Sequence, residues 1–157
     1  MLLVFLHIPK AAGSSVTRVL EAEFGKAAIW RTRRPGELPV TGAMAFIRQG
    51  AARQAEYACL TGHMPLFILE HIKVPFQAFT FLREPLDRAR SVYYHTMRSA
   101  DDPIAARFIE RGATLEDHIR EGADWHLDNG LVRIFSGVEE AAPFGGRDQA
   151  SFDDRAI

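Results

Sequence analysis

The segment LLVFLHIPKAAGSSVTRVLEAEFG, from Leu2 to Gly25, decides the fold. Its beginning, Leu2 to Ile8, is apolar almost throughout and too short for a typical helix. Such a run is typical of a parallel strand that is covered on both faces. Pro9 and Gly13 then mark a loop, because both residues interrupt regular structure. The segment therefore opens with a strand that runs directly into a tight loop.

A helix is predicted after this loop. Apolar residues recur there at helical spacing, at Val16, Val19, Leu20 and Phe24. Ser14 or Ser15 is the expected N-cap, and Gly25 is the expected stop. The unit is thus strand, tight loop and helix.

The same order appears again further along the chain. Phe76 to Leu82 is a largely apolar, β-prone run, and Arg83-Glu84-Pro85 opens another helix at Leu86. Proline is favourable in a first turn because its missing N–H would be unpaired there anyway.

The other predicted elements alternate in type. They are a loop at Arg31–Gly42, a helix at Ala43–Tyr57, a short strand at Tyr57–His63, and helices at Leu115–Glu121 and Trp125–Phe135. Alternating strands and helices predict an α/β fold, a P-loop-like parallel sheet flanked by helices, with ligands at the carboxyl ends of the strands. The 157 residues are expected to form a single domain.

Composition excludes several classes of function. The net charge of −1 supplies no global positive field for a nucleic acid, so any anion is expected to bind locally. The single cysteine, Cys59, cannot form an internal disulfide; we expect a small buried residue there and a reducing, cytoplasmic compartment. The apolar start lacks a basic region and a cleavage site, and no apolar run is long enough for a membrane span.

The segment His7–Ser15, HIPKAAGSS, is called the lysine loop below. It places a lysine and small residues between a buried strand and a helix start. The unpaired N–H groups and positive end of such a helix attract an anion, and Lys10 adds a full charge. The loop differs from that of nucleoside triphosphatases, because Lys10 precedes Gly13 instead of following it.

The lysine loop resembles the 5′-phosphosulfate loop of carbohydrate-type sulfotransferases, including heparan sulfate 2-O-type and bacterial members. These enzymes use 3′-phosphoadenosine 5′-phosphosulfate as donor. A second family motif, a strand that ends in Arg-(Asp/Glu)-Pro before a helix bearing a serine, is matched by the FLREPLDR sequence and Ser91. The resemblance implies that the donor is bound by Lys10, Ala11, Ala12, Gly13, Ser14, Ser15, Arg83 and Ser91.

Arg83 and Ser91 would hold the 3′-phosphate by this resemblance. The guanidinium offers a fixed fork of donors that matches phosphate oxygens. The alternative for Arg83 is a surface ion pair with Glu84 or Asp87.

The pair Gly62-His63 lies between the two phosphate motifs. It resembles a Gly-His pair of the heparan sulfate 2-O-sulfotransferases, whose histidine is the proposed base. A neutral imidazole can take the acceptor's proton, although a lone histidine often has only a structural hydrogen bond. The other candidate bases are His7, Glu70, His71 and His95.

The segment from Asn129 to Gly137 resembles an Asn-x-x-x-Arg-x-x-x-Gly helix of these enzymes, with Asn129 and Arg133 on one face. Simple packing of that helix is the alternative. The scattered histidines and the single cysteine predict no metal site. The expected reaction is an in-line displacement in which Lys10 and loop N–H groups stabilise the leaving phosphate.

The resemblance spans Leu2 to Gly137, whereas family members usually continue with a further strand and a loop that helps enclose the nucleotide. Three classes of function remain open. They are a sulfotransferase acting on a hydroxyl, a phosphotransferase using an ordinary nucleotide, and a non-catalytic or truncated nucleotide-binding relative. For the first class the resemblance implies a glycan hydroxyl, and lipid or small-molecule hydroxyls are the alternatives.

Overall fold

The computed structural model of the protein describes residues 1–33, 39–98, 103–121 and 130–136. The chain divides into two compact units, Met1–Leu82 and Arg83–Ile157. The regular elements of the first unit are β1 Leu2–Leu6, α1 Gly13–Phe24, β2 Ile29–Arg31, α2 Pro39–Ile47, α3 Ala51–Gln54, β3 Cys59–Gly62 and β4 Phe76–Thr80. Two 3₁₀ helices, Lys26–Ala28 and Leu66–His71, connect them.

The four strands form one sheet in the order β2-β3-β1-β4, and every neighbouring pair is parallel. This arrangement confirms the predicted α/β class. The register places Leu6 beside Gly62 of β3 and beside Thr80 of β4. Three strands therefore end level with one another, which brings the residues that follow them to one edge of the sheet.

Both faces of β1 are covered, as its continuous apolar sequence predicts. One face packs into a cluster that includes Leu2, Val4, Leu6, Ala43, Phe46, Ile47, Leu60, Met64 and Ile68. The opposite face packs into a cluster of Phe5, Leu20, Ile29 and Cys59, with Val16 and Phe79 at its border. Cys59 is fully buried, and that burial raises the pKa of its thiol to about 11. The expectation of a small buried residue at this position is confirmed.

Helix α1 presents a narrower apolar face to the sheet than the sequence suggested. Val16 and Leu20 pack against the sheet, whereas Val19 is 67 % exposed and Phe24 is 38 % exposed. The predicted stop is confirmed, because Gly25 ends the helix with φ 77°. The apolar spacing therefore predicted the helix correctly, but two of the four apolar positions do not face the sheet.

The predicted loop Arg31–Gly42 is only partly correct, since α2 already begins at Pro39 and β2 ends at Arg31. Glycine is needed at position 42 for a close approach. A Cβ there would lie 1.9 Å from the carbonyl oxygen of Thr32, and the Gly42 carbonyl accepts a hydrogen bond from Trp30 Nε1 at 3.0 Å. The glycine that indicated a loop in the sequence is instead where a helix touches the backbone beyond β2.

The predicted helix Ala43–Tyr57 is two helices. Gly50 has an extended backbone, with φ −71° and ψ 161°, and stands between α2 and α3. The buried side chain of Gln54 donates to the carbonyl of Phe46 and accepts from the N–H of Lys73. These bonds hold the short second helix against the end of the first, so tertiary contacts override the helical pattern.

The second unit is helical where it is described. It contains α4 Pro85–Thr96, α5 Pro103–Glu110, α6 Leu115–Glu121 and α7 Gly130–Ser136. Helix α6 has the predicted bounds, α7 covers the described part of the predicted helix Trp125–Phe135, and α5 was not predicted. Asn129 and Gly137 lie outside the described residues. In the ranges that are described, no helix is long and apolar enough to cross a membrane.

Candidate functional site

The connections that follow β1 and β3 leave the sheet on opposite faces. Helix α1, after β1, packs through Leu20 into the cluster around Phe5. The 3₁₀ helix Leu66–His71, after β3, packs through Ile68 into the cluster on the other face. Two adjacent strands whose connections diverge in this way open a crevice at their carboxyl ends, where α/β proteins bind ligands. The lysine loop follows β1 and His63 follows β3, so both lie at this crevice.

The lysine loop contains two residues in the left-handed region, Lys10 with φ 65° and Ala12 with φ 63°. Within the described residues they are the only non-glycine positions with positive φ. Such strained conformations concentrate at ligand sites, and left-handed residues in a turn help to point successive N–H groups to one side. The half-buried Lys10 thus lies within a loop whose left-handed residues suit the binding of an anion.

The expectation that Ser14 or Ser15 caps α1 is wrong. The N-cap is Ala12, whose side chain cannot accept a hydrogen bond, and both serines lie exposed within the first turn. No side chain caps this helix; the N–H of Ser15 donates to the carbonyl of Ala12, and the N–H groups of Gly13 and Ser14 before it are the ones that can meet an anion. A cap by either serine would have required an extended backbone at that serine, and the left-handed Ala12 starts the helix earlier.

Gly13 lies directly against the ring of His7, where a Cβ would be 1.7 Å from Nε2. Gly13→Ala is expected to lower the free energy of unfolding by about 1–3 kcal/mol, because the ring must be displaced in a packed region. Urea unfolding measures this change. Gly50→Ala is the matched control, since a Cβ at Gly50 meets no atom within 4 Å. Equal, small effects of both substitutions would contradict the close packing.

His63 follows β3 and is fixed by its neighbour across the sheet. Its Nδ1 lies 2.7 Å from the carbonyl oxygen of His7. A carbonyl can only accept, so Nδ1 carries the proton of the neutral ring and Nε2 is left as a proton acceptor. Burial lowers the pKa of His63 below 6.5, the bond to His7 opposes this, and the charge of Arg33 lowers the pKa further. The neutral, basic form therefore predominates near neutral pH.

Position 62 requires a glycine because Thr32 packs directly against it. It has φ 147°, and a Cβ there would lie 1.9 Å from Thr32 Oγ1. Thr32 is fully buried, and its hydroxyl donates to the carbonyl of His63 at 3.3 Å. The glycine of the Gly-His pair thus allows Thr32 to support the backbone of the histidine. Sequence reasoning missed Thr32 and Arg33, because both follow a strand of three residues that is too short to show an alternating pattern.

The other candidate bases are less well placed. The ring of His7 is 4.3 Å from the ring of His63, and burial together with His63 lowers the pKa of His7 to about 4. Glu70 and His71 are exposed on the 3₁₀ helix, and His95 is exposed on α4 in the second unit. Only His63 combines a fixed tautomer with a position at the crevice.

In the described ranges, no three His, Cys, Asp or Glu side chains are placed to hold a metal ion.

In the second unit, Glu84 caps helix α4. Its carboxylate accepts from the N–H groups of Leu86 at 3.1 Å and Asp87 at 2.7 Å, and these bonds lower the pKa of Glu84. Pro85 occupies the first turn, as predicted. Asp87 is 3.6 Å from Arg90. In the described part of the unit Arg83 is exposed and forms no ion pair with Glu84 or Asp87, although its charge makes a minor contribution to the lowered pKa of Glu84.

Ser91 lies on the same helix as this cap, two turns into α4. It is half-buried beside the buried residues Arg88 and Val92. The side chain of Arg133, on α7, lies outside the described part of the chain, so the predicted pairing of Asn129 and Arg133 on one face stays a prediction.

The model of the sulfotransferase family matches residues 2–130. This range contains the lysine loop, the Gly-His pair and the Arg-Glu-Pro motif. No curated protein and no solved structure matches the chain.

Proposed function

From the premise that the chain belongs to the sulfotransferase family, we propose that it transfers a sulfuryl group from 3′-phosphoadenosine 5′-phosphosulfate to an acceptor hydroxyl. One observation carries the proposal. An uncapped helix start with a lysine, and a histidine whose Nε2 is free to accept a proton, border the same crevice of the sheet. A transfer from an anionic donor to a hydroxyl needs this combination of an anion site and a base.

Each group has a distinct role in the proposed reaction. Lys10 and the first N–H groups of α1 bind the 5′-phosphosulfate. His63 Nε2 takes the proton of the acceptor hydroxyl while the oxygen of that hydroxyl forms a bond to sulfur. The bond from sulfur to the bridging oxygen breaks, and 3′-phosphoadenosine 5′-phosphate leaves with the negative charge that Lys10 stabilises. The uncapped N–H groups and the small residues of the loop fit a phosphate that approaches the backbone closely.

The acceptor class comes from the resemblance alone. Enzymes with a similar lysine loop and Gly-His pair sulfate carbohydrates, and a sugar hydroxyl is a weak acid that requires a base. A glycan hydroxyl is therefore the first acceptor to test.

Arg83 and Ser91 are proposed to bind the 3′-phosphate of the donor. The exposed guanidinium without an ion pair to Glu84 or Asp87 supports this role, because such a group is available for a ligand. Arg83→Ala is expected to lower the affinity for 3′-phosphoadenosine 5′-phosphate roughly 10- to 100-fold, which is the contribution of one charge-assisted hydrogen bond. Any weak affinity for 5′-AMP is expected to change little, since that nucleotide lacks the 3′-phosphate.

Titration calorimetry with both nucleotides measures this difference. Arg90→Ala is the matched control, because Arg90 lies on α4, the helix that begins just after Arg83, and its side chain is about half-exposed at 54 %. Equal losses of affinity for both nucleotides in Arg83→Ala would remove Arg83 from 3′-phosphate recognition.

The function as a whole is tested in two stages. Calorimetry first compares 3′-phosphoadenosine 5′-phosphate with ATP. Donor labelled in its sulfuryl group is then incubated with a panel of glycans, and labelled acceptor is measured together with released nucleotide. Tighter binding of ATP and transfer of its terminal phosphate would favour a phosphotransferase. Binding of the donor nucleotide without transfer to any hydroxyl would favour a non-catalytic relative.

A further inference from the structure

The side chain of His7 has no role in the reaction described so far, although it lies closest to the base. Both polar groups of its backbone form hydrogen bonds, one to the last residue of β3 and the other to His63. The N–H of His7 donates to the carbonyl of Gly62 at 3.0 Å, and its carbonyl accepts from His63 Nδ1 at 2.7 Å. The peptide of His7 is thus fixed on the Gly-His pair.

The partly buried ring of His7 contacts three neighbours. It stacks on Phe5 with 5.6 Å between ring centroids and an angle of 11° between planes. Its Nε2 edge lies against Gly13, where even a methyl group would overlap it. The His63 ring lies 4.3 Å away at an angle of 33°. His7 is therefore packed between a core aromatic residue, the start of α1 and the base.

We propose that the ring of His7 is a positioning element that keeps the His63 ring turned with Nδ1 toward the His7 carbonyl and Nε2 toward the acceptor. The inference rests on the proposed role of His63 as base. A single hydrogen bond leaves the imidazole free to rotate away or flip, whereas a flat ring packed beside it restricts that rotation. Reaction rates depend steeply on such orientation.

His7 itself does not act as the proton acceptor. Its pKa of about 4 makes it a weak base near neutral pH, and its Nε2 edge faces Gly13. The neutral ring serves as a flat, largely apolar surface. A phenylalanine can supply such a surface, and an alanine cannot.

The test compares His7→Phe with His7→Ala, and nitrogen NMR of His63 is the first readout. In the unaltered chain and in His7→Phe, the neutral His63 ring is expected to carry its proton on Nδ1 and to titrate below 6.5. In His7→Ala, the pKa is expected to move up toward 6.5, because water reaches the ring, and the two tautomers are expected to mix. His7→Asn, closer in volume to histidine, is carried through the same titration in case the alanine variant does not fold.

Kinetics give the second readout. His7→Ala is expected to lower kcat roughly 10- to 100-fold with little change in KM for the donor, while His7→Phe retains kcat within a few-fold. A purely structural role would lower the free energy of unfolding and leave the His63 titration of the folded protein unchanged. That result, or equal damage by Phe and Ala, would overturn the proposal.

The NMR titration needs neither donor nor acceptor. If the unaltered chain transfers no sulfuryl group, the proposed function fails by that assay alone. If it is active and the His63 titration is the same in every His7 variant, only the positioning role fails.

Discussion

His63→Ala is expected to cut turnover roughly 10²- to 10⁴-fold while nucleotide affinity stays almost unchanged. This range is the usual contribution of a general base. The physical reason is the fixed tautomer, since the 2.7 Å contact between Nδ1 and the His7 carbonyl leaves Nε2 as the acceptor. No other candidate base in the described part of the chain has the same arrangement. Steady-state rates with a verified acceptor, and calorimetry with 3′-phosphoadenosine 5′-phosphate, measure the two effects separately.

The pH profile gives an independent check on His63. A base works only when it is unprotonated, so activity falls on the acidic side as the imidazole takes up a proton. Because burial lowers the pKa of His63, the acidic limb is expected below pH 6.5. The His63→Ala variant is expected to lose this limb. His71→Ala, at an exposed histidine after the same strand, is the comparison, and it is expected to retain both the rate and the limb.

Unchanged turnover and pH dependence in His63→Ala would return this residue to a structural role. A large loss in His71→Ala instead would move the base to the 3₁₀ helix Leu66–His71.

Lys10→Ala is expected to lower turnover on the order of 10²- to 10³-fold, by analogy with loss of one preorganised donor to a developing oxyanion. The charge of Lys10 matters more as the leaving phosphate gains negative charge than when the donor is merely bound. Binding of the donor nucleotide is therefore expected to weaken less than turnover falls. Alanine and lysine tolerate the left-handed backbone of this position similarly, so the substitution tests the charge and not the loop conformation.

Single-turnover rates and calorimetry compare Lys10→Ala with the parent chain. Lys73→Ala is the control, because Lys73 is an exposed lysine of the same unit whose Nζ donates to the carbonyl of Gln49. A Lys10→Ala variant that keeps nearly full turnover would remove Lys10 from the mechanism. Equal losses in both variants would indicate a general effect of charge.

The order β1, lysine loop and α1 could be predicted from the sequence because its causes are local. An apolar run of strand length, followed by proline, small residues and helical spacing, restricts the backbone wherever the chain folds. The parallel α/β class followed from repetition of this order. The Arg-Glu-Pro start of α4 was equally local, since Pro85 and the Glu84 carboxylate act within one helical turn.

The geometry of the candidate site was not local. His7 and His63 meet across 56 residues of sequence, because the register of β1 with β3 aligns Leu6 with Gly62. No spacing in the sequence specifies that register. The hydrogen bond that fixes the His63 tautomer, and the packing of His7 against it, exist only once the sheet has formed.

The same reason explains the errors at the borders of the site. Ser14 and Ser15 have good capping side chains, yet the left-handed Ala12 starts α1 before either can cap it. Thr32, which supports His63, directly follows β2, a strand of three residues that is stabilised by pairing with β3 rather than by its own sequence pattern. The sequence by itself determined the chemical groups, Lys10 and His63, and the strands that carry them. The tertiary structure decided which backbone N–H groups are open to an anion and which histidine nitrogen can take a proton, because both depend on contacts between segments far apart in the chain.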